Sequence, residues 1–415
     1  MHIVVLGAGV VGVTTAYQLL NDGHSVTVID RASSPGQYTS FANAGLVAPG
    51  HAYAWGSPAA PKMMWQSLLR NDQAIRLKPK LSMRQWRWVL AFLAECTAER
   101  AAANTRIKAR LCQYSQTMLD VVVLETGVSY AGRSGGLIYF YRTPEKLAAA
   151  SQKADILRSQ GLTIHELTGD QVIATDPGLA SAGDAIAGGL FAPTDASGDA
   201  YLFTKALAEI CKARGCVFLY DTEIIDFLKD RHGVKAVHTK SGDISADAFV
   251  LCLGVFSPLL VEKLGMSLPV YPVKGYSVTV AADDLPISPT LGGVDEENLL
   301  AYCPMDKRLR LTATAEISGY STNHKPSDFS VMLAKARELF GDRLGASAID
   351  YWAGLRPMTP TGLPIIDRAP VDNLFINTGH GHMGWTMSNG CARMVADMIG
   401  QKPLAHSNEG MRYGK

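Results

Sequence analysis

The chain opens on an apolar run, His2-Ile3-Val4-Val5-Leu6, which reads as a strand and leads straight into Gly7-Ala8-Gly9-Val10-Val11-Gly12. A helical pattern follows from 13 to about 22 and stops at Gly23-His24. A second strand, Ser25-Val26-Thr27-Val28-Ile29, then delivers Asp30. The sequence turns polar and glycine-rich over 36–50, and from about 62 to 126 alanine, leucine and charged residues recur at helical spacing. Further on, the pattern predicts a strand over 136–141, a helix over 144–159, a loop at Asp176-Pro177, a helix over 201–214 and a strand over 216–220. A hairpin through Gly233 and Gly242 and a strand over 248–253 ending at Gly254 come next. Between 270 and 320 strand follows strand (273–280, 299–303, 308–315), the mark of an antiparallel sheet with a wall to offer a substrate. A helix over 328–340 precedes a closing stretch of short strands, Gly/Pro loops and a helix.

The opening unit is suited to a dinucleotide. One glycine permits the tight strand-to-helix turn, the next lets backbone N–H groups approach a pyrophosphate, and the third allows close helix-on-strand packing. The helix N-terminus adds positive partial charge for the phosphates. Asp30 stands where a ribose-binding carboxylate is expected, and an acid there favours an unphosphorylated ribose over NADP. The motif does not choose between FAD and NAD.

These elements predict an α/β protein in two interleaved parts. A discontinuous Rossmann-like nucleotide-binding domain takes 1–50, 187–265 and 345–405, with Gly188-Gly189-Leu190-Phe191 read as its return. An α+β substrate domain takes 51–186, with a helical insertion, and 266–344, with a mostly antiparallel sheet. There is no internal repeat and no low-complexity tract.

Composition narrows the class. With 415 residues, 47% hydrophobic and 19% charged, the chain can form two cores. A net charge of +1 without blocks of like charge gives nucleic acid no electrostatic footprint. The seven cysteines (Cys96, Cys112, Cys211, Cys216, Cys252, Cys303, Cys391) are scattered and never form a CxxC pair, so neither a disulfide framework nor a metal site is suggested, and a reducing compartment fits. The apolar N-terminal run is already the first strand, which leaves no room for a signal peptide. No apolar stretch reaches the roughly 18 residues needed to span a bilayer. Trp86-Arg87-Trp88-Val89-Leu90-Ala91-Phe92-Leu93-Ala94, with Met63-Met64-Trp65 upstream, suits either a helix on a membrane surface or an ordinary buried helix.

Near the C-terminus the chain acquires a resemblance. Trp352-Ala353-Gly354-Leu355-Arg356-Pro357-Met358-Thr359-Pro360 and Asn377-Thr378-Gly379-His380-Gly381-His382-Met383-Gly384-Trp385-Thr386 resemble the closing motifs of bacterial D-amino-acid dehydrogenases of the small-subunit type. These are FAD flavoproteins of the D-amino-acid oxidase and glycine oxidase superfamily. Thr39-Ser40-Phe41-Ala42-Asn43-Ala44-Gly45 is similar to that family's flavin-contacting loop, and the resemblance runs from Met1 to about Ile399.

The resemblance implies FAD held by Gly7, Gly9, Val10, Val11, Gly12, Asp30, Arg31, Ser40, Asn43, Ala44, Gly45, Leu46, Gly254, Gly354, Arg356, Gly381, His382, Met383, Gly384, Trp385 and Thr386. The glycine run 379–384 would face the flavin C2 carbonyl and favour the reduced, anionic ring. Arg356 would grip the substrate carboxylate, since a guanidinium alone binds it in a two-pronged, oriented way; the plain alternative is pairing with Asp350 or Asp367. Tyr276 and Tyr302 are candidates to cover the substrate, or else buried structural tyrosines. Lys274 faces the flavin or is a solvated strand residue like Arg308 and Arg310. His380 and His382 are either bases or purely structural, and no side chain is assigned as general base. The implied reaction takes a D-amino acid to an imino acid by hydride transfer from Cα to flavin N5, then by hydrolysis to a 2-oxo acid and ammonia. It implies amino-acid catabolism, electrons leaving to a quinone or another acceptor, and a cytoplasmic protein peripheral on the inner membrane. Rivals are a D-hydroxyproline or other secondary-amine dehydrogenase, a redox-inactive FAD-binding subunit, and an NAD-dependent dehydrogenase.

Overall fold

A computed structural model describes residues 1–67, 75–231 and 233–414. Six strands form the first sheet, in the order Val217–Leu219, Ser25–Ile29, His2–Leu6, Ala248–Leu251, Leu374–Thr378, Ile365–Arg368. All neighbours are parallel except the last pair. The central strand His2–Leu6 is apolar throughout because both faces are covered. Ile3 and Val5 pack with Val13 and Ala16 of the helix Val10–Asn21, and with Phe203, Met387 and Cys391 from two further helices. Val4 and Leu6 meet Phe227 and Val237 of a three-stranded antiparallel sheet, Ile224–Asp230, Gly233–Thr239 and Gly242–Ser245. The hairpin expected through Gly233 and Gly242 is therefore a layer of the nucleotide-binding part.

The second sheet has nine strands. Its path is Ile349–Met358, Tyr271–Ala281, Arg308–Ile317, Leu300–Met305, Gly292–Asp295, Leu137–Tyr141, Gly188–Ala192, His165–Thr168, with Ile75–Leu77 parallel to Arg308–Ile317. Every other pair is antiparallel except Gly292–Asp295 with Leu137–Tyr141. One face packs on the helix Ser330–Phe340 through Val278, Leu309, Leu311 and Phe340. The other looks toward the first sheet.

Two sequence expectations give way here. Gly188–Ala192, read as a return of the nucleotide-binding part, lies inside the second sheet between Leu137–Tyr141 and His165–Thr168. Ile349–Met358, assigned with the closing nucleotide segment, is that sheet's edge strand, paired along its whole length with Tyr271–Ala281. An apolar strand carries no mark of which sheet will accept it; partners far away in sequence decide.

The helical region resolves into Ala60–Ser67, Met83–Glu95 and Ala98–Thr126, interrupted by the strand Ile75–Leu77; part of the expected helix, 68–74, lies outside the described residues. Thr97 starts the longest helix by accepting from the Arg100 N–H, and Gly127 ends it in a left-handed conformation. That helix lies against Gly384–Ile399, closely enough that a Cβ on Gly390 would come within 2.8 Å of the Ser115 side chain.

Candidate active site

Between the two sheets lies a mostly apolar cavity of about 870 Å³. The first sheet supplies its nucleotide end. Gly7 has φ +109°, and a Cβ there would sit 2.7 Å from the Cys252 carbonyl oxygen. A Cβ on Gly12 would lie 1.8 Å from the Gly7 carbonyl oxygen, so Gly12 acts by letting the helix touch the turn and does not itself line the cavity. Gly9, the residue before the helix, offers no side-chain cap, which leaves the first helical N–H groups for a ligand. One is already engaged: Val10 N–H donates to Ser40 Oγ at 3.0 Å.

Asp30 lines the cavity with its carboxylate fixed by N–H groups of Ala8 at 2.6 Å and Ala32 at 2.8 Å. Burial pushes its carboxyl above the ordinary range, and the two N–H donors oppose that shift. Arg31 lies over the Phe256 ring at 4.0 Å and the Tyr38 ring at 4.7 Å. Gly254 also borders the cavity.

The loop after the second strand crosses above. Ala44 and Leu46 line the cavity, and Asn43 borders it while its Oδ1 closes a local turn with Gly45 N–H at 3.0 Å. Gly45 is turned away against Met305 and Cys303 and makes no part of the lining. Thr386 ties this loop to the last helix: its hydroxyl donates to the Leu46 carbonyl and accepts from Ala48 N–H, both at 3.2 Å.

That last helix, Gly384–Ile399, has its uncapped N-terminus at the cavity, reached through the short turn Gly381–Met383. Trp385 borders the cavity and packs against Phe203, ring centroids 4.7 Å apart. His380 is buried, which pushes its imidazole down to about 3, and its Nε2 has no partner among the described residues. His382 faces the cavity; burial, then the charges of Lys108, Arg356 and His51, hold it well below the usual histidine range. His380 is neutral near pH 7, and among the described residues neither ring is oriented by a carboxylate as a base would be.

The second sheet supplies the other wall. Arg356 projects into the cavity and donates to the Thr314 carbonyl at 2.9 Å. No carboxylate among the described residues pairs with it; Asp367 instead accepts from Tyr413 N–H. Burial lowers its guanidinium to about 10, still charged at neutral pH. A diagonal neighbour on the adjacent strand makes the space: a Cβ on Gly275, which pairs with Gly354, would fall 2.6 Å from the guanidinium carbon. Gly354, two residues before it, also lines the cavity.

Side-chain alternation separates the remaining candidates. Ala301 lines the cavity, so Tyr302 points the other way, packed on Phe340 at 5.3 Å and absent from the lining. Tyr276 borders the cavity, but its ring packs edge-on against Phe329 and its hydroxyl donates to Glu316 at 3.3 Å. Of the two tyrosines only Tyr276 borders the cavity, its hydroxyl engaged by Glu316; Tyr302 does not reach it. Lys274 shares that far side, bonding the Asn323 carbonyl, and Arg308 and Arg310 approach Asp199 at 3.1 and 3.7 Å. Sequence reasoning missed Gly275, Val273, Thr314, Trp55 and His51, all of which line the cavity. Gly275 carried a readable signal: a glycine inside a strand marks a close approach.

A glycine turn against a parallel sheet, a ribose-ready carboxylate, two open helix N-termini and a guanidinium without a carboxylate partner among the described residues, across one cavity, define an oxidoreductase that works through a bound dinucleotide. Residues 2–398 match the family described as FAD dependent oxidoreductase, and the chain belongs to that family. The enzyme's cofactor is therefore FAD. The chain is 42% identical to D-amino acid dehydrogenase 2 of Mesorhizobium japonicum, covering 100% of both chains. It is 41% identical to D-amino acid dehydrogenase of Granulibacter bethesdensis over 97% of each. Glycine oxidase from Geobacillus kaustophilus shares the fold with TM-score 0.76 and 24% identity, over 100% of this chain and 98% of that one. L-proline dehydrogenase from P. horikoshii does so with TM-score 0.75 and 19% identity, over 99% and 96%.

Proposed function

We propose that this protein oxidatively deaminates D-amino acids, converting them to 2-oxo acids and ammonia. The observation that carries this reading is Arg356, a half-buried cation with no carboxylate partner among the described residues, opening on the cavity between the sheets. Such a group is matched by a planar carboxylate bound through two parallel hydrogen bonds. The relatives named D-amino acid dehydrogenase at about 40% identity support the D configuration.

Bound FAD supplies the hydride acceptor. Gly7, Gly9 and Val10 would receive the pyrophosphate, Asp30 the ribose, and the N-terminus of Gly384–Ile399 the end that gains negative charge on reduction. Arg356 fixes the substrate by its carboxylate, while Val273, Trp55 and Met358 keep water from the reacting carbon. No protein base is required for an amine that arrives neutral, because the nitrogen lone pair drives hydride from Cα. The resulting imine hydrolyses after release.

We further propose that electrons leave to a quinone at a membrane surface. The helix Met83–Glu95 buries Gln85, Trp88, Val89 and Phe92 yet exposes a second apolar face, Met83, Trp86, Leu90 and Leu93, beside the fully exposed Leu81. Lys80 and Arg87 flank it, with Lys78 and Arg84 nearby but paired to Glu316 and Glu262, the chemistry of a helix lying on an anionic bilayer. Its buried side stacks Trp88 on Phe92, and Phe92 meets Trp55 at a tilt of 48°, with Trp55 lining the cavity. No helix among the described residues is long and apolar enough to cross a membrane.

Anaerobic addition of a panel of D- and L-amino acids to the yellow holoenzyme tests the first reading: D-substrates bleach the band near ~450 nm, and a colour that persists with every member refutes it. Reoxidation by a quinone faster than by oxygen supports the acceptor. Co-sedimentation with anionic vesicles that is unchanged by Trp86→Asp with Leu90→Asp refutes the membrane face.

A further inference from the structure

The long helix Ala98–Thr126 turns one charge inward. Lys108 is 1% exposed, and its Nζ donates to the Tyr53 carbonyl oxygen at 2.9 Å. No carboxylate among the described residues lies within ion-pair distance of it. An ammonium taken out of water costs several kcal/mol unless an opposite charge comes near. The groups around it supply none. On its own helix Cys112 is buried, its thiol pushed up to about 12 and so neutral. From the helix Pro144–Arg158 comes Lys153, a second positive charge. Toward the cavity stands His382, an imidazole held below the usual histidine range. Burial lowers the Lys108 ammonium to about 8, so it keeps its proton at neutral pH.

The segment carrying Trp55 stands between this charge and the cavity. A Cβ on Gly362 would be 3.7 Å from Lys108 Nζ and equally 3.7 Å from the Trp55 backbone nitrogen, and Trp55 lines the cavity with His382 and Arg356. Asp30 marks the ribose end of FAD, so the field of Lys108 enters at the end where the redox ring resides. Arg356 obtains its counter-charge from each substrate. Lys108, without access to the cavity, has none until FAD is reduced.

We infer that Lys108 is a positioning charge for the redox step: its unpaired ammonium behind the cavity wall favours the negative charge FAD gains on reduction, and so raises the enzyme's reduction potential. This rests on FAD in the cavity and is independent of which amine is oxidised. The effect travels through a low-dielectric layer, where one charge acts more strongly than in water.

The test uses holoenzyme carrying Lys108→Met or Lys108→Arg. The Met variant, isosteric along most of the stem and relieved of a buried charge, is expected to fold and retain FAD. Its equilibrium constant for FAD reduction should fall about tenfold or more, about 30 mV for a two-electron couple. Its dissociation constant for sulfite, which adds to FAD as an anion, should rise by a similar factor, and the Arg variant should restore both. A Met variant with FAD bound but potential and sulfite affinity unchanged would reduce Lys108 to an anchor for the Tyr53 loop. A measurement on unaltered enzyme needs no variant: by reciprocity the Lys108 ammonium, followed by NMR of labelled lysine, must hold its proton to higher pH when FAD is reduced. Identical titration in the two redox states overturns the inference.

Discussion

The two ends of the cavity are made in opposite ways. At the nucleotide end, turn, helix and acid come from the first thirty residues, and mostly backbone faces the cavity. At the substrate end, Arg356, Val273, Thr314 and Ala301 come from four strands of one sheet, and the wall is mostly side chains. Backbone binding tolerates almost no substitution where chain touches chain, whereas a side-chain wall can be retuned one residue at a time.

Gly12→Ala presses hardest on that contrast. Its Cβ would overlap the Gly7 carbonyl oxygen at 1.8 Å, a clash with backbone that no side-chain movement relieves. The protein should purify without FAD or fail to accumulate, and a normal ratio of flavin to protein absorbance would break the claim that the turn is rigid. Arg356→Met is the matching cut at the other end. It should raise KM for amino-acid substrates by about 2 to 4 kcal/mol of lost binding while FAD content stays full. Loss of FAD together with substrate binding would mean the two ends are not separable.

Gly275→Ala sharpens the same point with a smaller effect. The added methyl meets the far end of a flexible side chain, 2.6 Å from the guanidinium carbon, so Arg356 shifts instead of the fold. KM should rise roughly tenfold, on the order of 1.4 kcal/mol, with the melting temperature nearly unchanged. A melting temperature that drops with KM intact would place the strain in the sheet.

The smallest effect is a pH dependence at His380, which borders the cavity just before the turn Gly381–Met383. His380 is held near 3, below its ordinary value of 6.5, so the folded state disfavours its protonation. Its contribution to stability is complete above pH 6.5 and is lost as pH falls from 6.5 toward 3. Asp195 works in the opposite sense: burial raises its carboxyl to about 7, so the folded state gains as pH falls from 7 toward the ordinary 3.8. That gain is common to wild type and variant. The wild-type melting temperature should therefore fall more steeply between pH 6.5 and 4 than that of His380→Asn, by a few degrees at most. Parallel curves would show that the imidazole is not dry.

Much of the site was legible before any coordinates, though unevenly. The glycines, Asp30, Ser40 and Arg356 were named from the sequence and all but Gly12 and Gly45 line the cavity, those two supporting it from behind. Tyr302 is displaced by a parity: residue 301 looks inward, so 302 looks to the helix Ser330–Phe340, while Tyr276 borders the cavity with its ring edge against Phe329. Period-two alternation gives a strand two faces and says nothing about which one meets the ligand.

The sequence by itself determined the strand-turn-helix-strand unit, because its demands are local: positive φ at Gly7, no Cβ at Gly12, an acid closing the second strand. Tertiary structure alone decided that Gly188–Ala192 and Ile349–Met358 join the second sheet, that Gly275 makes the space for Arg356, and that Lys108 is sealed behind the wall without a counter-charge. Each of those depends on a neighbour remote in sequence, and burial changes what a residue does only once that neighbour has arrived.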